Sequence, residues 1–164
     1  MVTQSGSTNW VCRETGLILV SLVFLLPFTS LARASNMDES PLDLATLLQM
    51  EQRAETAQPR DQCYMFAEVL HGLTELAGRQ MAAGDDQQAA STFTQIDSVA
   101  QKMEKASAAN AKRLKNAEMI LEHITRRLTD MVHVASTDDR NATQTALKNI
   151  DHLHTQVLAV IFSK

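Results

Sequence analysis

Between residues 111 and 135 apolar side chains recur at strictly alternating steps of three and four: Leu114, Ala117, Leu121, Ile124, Leu128, Met131 and Ala135. That spacing lays one continuous apolar stripe along a single helical face. Lys112, Arg113, Lys115, Glu118, Glu122, Arg126, Arg127 and Asp130 fill much of the remaining surface. A stripe this wide has to be covered by partner helices.

Three further segments carry the same periodicity and can supply that cover. From Arg60 the pattern runs through Phe66, Val69, Leu73 and Leu76, flanked by Leu70 and Ala77, to about Ala83. Gly84 is placed to cap that helix at its C-terminus, and Asp85 to start the next one. The following stripe is Ala89, Phe93, Ile96, Ala100 and Met103, and its phase shifts near 107–110, which marks a turn without glycine or proline. Ser136-Thr137-Asp138 interrupts the pattern again and offers N-caps for a last helix. That helix carries Leu147, Ile150, Val157 and Ile161 on one line, with Ala146, Leu153 and Leu158 beside it. Ahead of all four, Ser40-Pro41 reads as a helix start, with serine as N-cap and proline at the first helical position. Leu42, Leu44, Ala45, Leu47, Leu48 and Met50 follow, in a short amphipathic helix that fades before Pro59. It is expected to pack loosely on the main body or to serve as a docking element.

Four helices of about 22 to 28 residues are rods of about 33 to 42 Å. Short turns between them require consecutive helices to run antiparallel. The expected fold is therefore all-α: an antiparallel up-and-down four-helix bundle over 59–164, preceded by a linker and short amphipathic helix over 35–58. Composition agrees. The chain is 45% hydrophobic but 4% aromatic, with 5 glycines and 3 prolines among 164 residues, which suits helices better than a turn-rich sheet.

The first 34 residues read as an export signal. Arg13 supplies the basic element, Gly16–Leu31 is an apolar run broken only by serine, threonine and Pro27, and Ala32-Arg33-Ala34 places small residues where a signal peptidase reads them. Cleavage between Ala34 and Ser35 would release the mature chain to the periplasm or the extracellular space. An uncleaved membrane anchor is the alternative, although the run falls short of the roughly 20 residues a span needs. Membrane contact is expected only in that case. Cleavage leaves 13 basic and 18 acidic residues, and Cys63 as a single free thiol. One cysteine cannot form an internal disulfide, so packing must carry the fold. The formal charge of −4 on the whole chain speaks against a nucleic-acid partner.

Residues 73–100 resemble one tetratricopeptide-repeat hairpin. Leu76, the Gly84-Asp85 turn, Ala89 and Phe93 carry the likeness. Ala77 stands where that family usually has glycine, Gln80 where it has an aromatic, and no second copy follows at the 34-residue period. The resemblance implies a helical hairpin that needs a neighbouring hairpin to bury its face.

Candidate chemistry is sparse. There is no Gly-x-Ser-x-Gly elbow and no glycine-rich phosphate loop, so no catalytic residue is assigned. Glu68-x-x-His71 and Asp130-x-x-His133 fall short of a di-iron set, because the second and fourth bundle helices carry no glutamate on their stripes. His123, His152 and His154 count to neighbouring levels across the last hairpin and are the candidate metal or haem ligands. Asn141-Ala142-Thr143 matches a glycosylation acceptor, relevant in a eukaryotic secretory setting. The expected function is a non-enzymatic exported helical bundle without cofactor, acting as a protein-interaction module and capable of self-association. A metal- or haem-binding bundle is the alternative.

Overall fold

The computed structural model describes residues 42–107 and 111–163. The export segment 1–34, the Ala34–Ser35 junction, the linker and Ser40-Pro41 lie outside the described residues. So does much of the turn expected near 107–110. The described chain is all-helical: α1 (Leu44–Thr56), α2 (Pro59–Ala83), α3 (Asp86–Ser107), α4 (Leu114–Val134) and α5 (Thr137–Phe162). None of these helices is long and apolar enough to cross a membrane.

Local chemistry explains the helix ends. α1 starts later than the Ser40-Pro41 signal implies, because Asp43 is its N-cap and its Oδ1 accepts the Thr46 N–H at 2.8 Å. Pro59 opens α2 at its first positions, where a missing N–H does no harm. α2 stops where Gly84 turns left-handed at φ 76°, and its N–H caps Met81 O. Asp85 then precedes α3, its carbonyl accepting the Ala89 N–H at 2.9 Å. Ser136 caps α5 by accepting the Asp139 N–H at 3.1 Å.

α2 lies at the centre of the extensive helix pairs. It packs against α1, α3 and α4, while α5 packs against α3 and α4. This explains why Cys63, Ala67, Gly72 and Thr74 are buried along with its large apolar stripe. Cross-helix pairs give the directions. Glu75–Arg127 follows His71–His123 along both helices, so α2 and α4 run parallel. Asp97–Asn149 and Glu104–Gln156 make α3 and α5 parallel as well. Thr125–Asp151 and Glu118–His154 make α4 and α5 antiparallel. The extensive helix pairs do not include α3 with α4. The chain between them passes the start of α2, where the Lys112 N–H reaches Arg60 O at 2.7 Å. Arg113, at φ 60°, lays its guanidinium 3.4 Å over the Tyr64 ring.

The α4 stripe is buried along its full length, from Leu114 through Met131 to Ala135. In α5 the buried line is Ala146, Ile150, Leu153 and Val157, with Leu147 and Ile161 half-buried, so the centre of its face is shifted from the expected one. The buried hydroxyls answer their own helices: Thr74 donates to Leu70 O, and Thr143 to Asp139 O. The glycosylation-like Thr143 is therefore folded into α5 and inaccessible.

Candidate functional site

α1 docks on α2 through a narrow face of Leu47, Glu51 and Ala54. Leu47 rests on Gly72, where an added Cβ would overlap Leu47 Cδ2. Arg79 secures the other end of the hairpin by donating to Leu42 O at 2.7 Å. Glu51 is the unexpected member, a buried carboxylate in a core face. It accepts from Lys102 Nζ at 2.6 Å and from Gln95 Nε2 at 2.6 Å, both on α3. Lys102 also reaches Glu55 at 2.5 Å. These carboxylates hold the Lys102 ammonium above its ordinary value, Glu51 first and then Glu55.

The same edge of α1 has a different character one turn earlier. Leu44 and Leu48 continue the line of Glu51 and Glu55 at steps of four, three and four. Leu42, Leu44 and Leu48 stay 38%, 41% and 39% exposed. The edge is thus ionic and tied down at its C-terminal half, and apolar and open at its N-terminal half. The exposed leucines Leu44 and Leu48 thus stand apart from Leu47 and Ala54, which are buried.

Cys63 is fully buried near the start of α2, and burial pushes its thiol up to about 11. It is a packed free thiol in the fold.

The histidines expected to converge do not. His154 Nε2 meets Glu118 Oε1 at 3.1 Å. His152 lies beside Gln156 at 3.1 Å on the α3–α5 side. His123 faces the other way, against His71 of α2, with ring centroids 5.1 Å apart and tilted 56°. Side chains at the same level of a hairpin can face different neighbours. His123 falls on the α2 side of α4 and His154 on the α4 side of α5. Among the described residues, the metal-ligating atoms that do converge belong to His71, Glu75 and His123. His71, which closes the Glu68-x-x-His71 pair, has Glu75 one turn on, and the parallel register of α2 and α4 brings in His123.

Comparison with protein-family models, curated proteins and solved structures gives no match to this chain.

Proposed function

We propose that this chain is an exported, non-enzymatic interaction module, in which an antiparallel four-helix bundle carries α1 as its docking element. The observation that supports it is the pair of exposed leucines one turn apart on α1, Leu44 and Leu48, held in place by the Leu47–Gly72 contact and the Glu51–Lys102 pair. Leucines one turn apart on a fixed helix suit an apolar helical face of a partner protein, read through anchors at i and i+4. The Glu51 and Glu55 carboxylates, already paired with Lys102, mark where the apolar line stops. The mature chain begins at Ser35 and acts in the periplasm or outside the cell.

A photo-crosslinking residue at Leu48, expressed in the native host, tests this. The expected result is a discrete adduct with a second protein, absent when the probe replaces exposed Lys148 on α5 and lost when Leu44→Gln is added. No adduct at Leu48, or equal adducts at both positions, would overturn it. An adduct between two copies of this chain would replace the partner protein by self-association.

A further inference from the structure

We infer that His71 and Glu75 of α2 and His123 of α4 bind a first-row divalent cation of the Zn²⁺ type, which ties these two helices together. One ligand atom from each of the three residues lies within 4.8 Å of the other two. Three ligands about 2.0 to 2.2 Å from a tetrahedral ion stand roughly 3.5 Å apart, so side-chain torsions alone can close the set. The backbone already supports this. His71 and Glu75 are one helical turn apart and share a face. The parallel run of α2 and α4 then sets His123 opposite His71 and Arg127 opposite Glu75.

The donor set selects the ion. Two imidazole nitrogens and one carboxylate suit Zn²⁺ and its transition-metal neighbours, whereas Ca²⁺ and Mg²⁺ require oxygen ligands. Arg127 Nε holds Glu75 Oε1 at 3.3 Å, which orients the carboxylate and leaves its second oxygen for the ion. Glu68, Met119 and Ile120 line the same depression as His71 and His123. The Glu68 carboxylate is engaged by the Tyr64 hydroxyl, so it is not counted as a ligand. Three protein ligands leave a fourth position open to water from the exposed side of His123. The site is independent of the α1 edge, and neither stands or falls with the other.

Titration of the chelator-treated full chain with Zn²⁺ by calorimetry, and with Co²⁺ by visible absorption, tests it. The expected result is one ion per chain with a four-coordinate Co²⁺ spectrum, unaffected by excess Mg²⁺. His123→Ala and His71→Ala should each weaken Zn²⁺ binding by more than the roughly tenfold to hundredfold that loss of an outer-shell partner costs. His154→Ala should leave it unchanged. His123 is exposed, so its variant keeps the helical circular dichroism of the wild type and reports on ligation alone. No saturable uptake of Zn²⁺, or uptake that survives both His71→Ala and His123→Ala, would overturn the site.

Discussion

Glu51 of α1, 5% exposed, accepts the ammonium of Lys102 on α3 at 2.6 Å. The two partners are unequally placed, since Lys102 stands partly in solvent and keeps Glu55 as a second carboxylate. Removing one or the other should therefore have unequal effects. Lys102→Met leaves a buried carboxylate with the Gln95 amide as its remaining partner, and should lower unfolding stability by about 2 kcal/mol. Glu51→Leu extends the Leu47–Ala54 face while Lys102 stays with Glu55 and water, and should stay within about 1 kcal/mol of wild type. Urea unfolding of the two variants measures this. Equal losses would show that the unpaired Glu51 carboxylate carries no added cost, contrary to this account.

Gly72 should not tolerate a branched side chain. Its Cβ would meet Leu47 Cδ2, which is itself fully buried. Gly72→Val is expected to lose about 1 to 3 kcal/mol by overpacking and to release α1. Trypsin should then cut faster at exposed Arg53, with α2–α5 still folded by circular dichroism.

Gly84 is constrained for a different reason. Nothing lies within 4 Å of a Cβ built there, but φ is 76°. Gly84→Ala should lower stability by about 1 kcal/mol through the backbone alone, and Gly84→Asn by less, because asparagine tolerates the left-handed region. Thermal unfolding of both variants gives the comparison.

Alkaline stability should depend on Cys63. Its thiol is pushed up to about 11 in the folded chain by burial, against an ordinary value of 9.0. The folded state then holds its proton where the unfolded state has released it, so stability is intact below about 9 and falls as pH rises towards about 11. Lys102, also raised, adds a loss in the same direction at higher pH, reduced by its partial exposure. Cys63→Ala should flatten the slope of stability against pH between about 9 and 11. The native thiol should also resist a disulfide reagent at pH 8 until urea is added.

The α4 stripe was legible because its apolar positions recur without a break and most positions between are charged or polar. The α2 position that receives α1 was not, because Gly72 has no side chain and leaves no mark in an apolar pattern. In α1 the apolar residues indicate an amphipathic helix without singling out its buried side, which is Leu47, Glu51 and Ala54. A glutamate reads as solvent-facing until Lys102 and Gln95, more than 40 residues away, are known to cover it. Periodicity fixes which face of a helix is apolar and where its ends lie. It carries nothing about which other helix stands there, which is why α3 was not placed beside α5 and His123 was assigned to His154 instead of His71.

The most direct measurement is native mass spectrometry of the protein isolated from its own host, wild type against a Leu44→Gln/Leu48→Gln variant. The expected result is a chain beginning at Ser35 in a stoichiometric complex with a second protein, and release of that protein in the variant with the helical fold retained. A wild-type chain without a protein partner, or a complex that survives loss of both leucines, would contradict the assignment of α1 as the docking element.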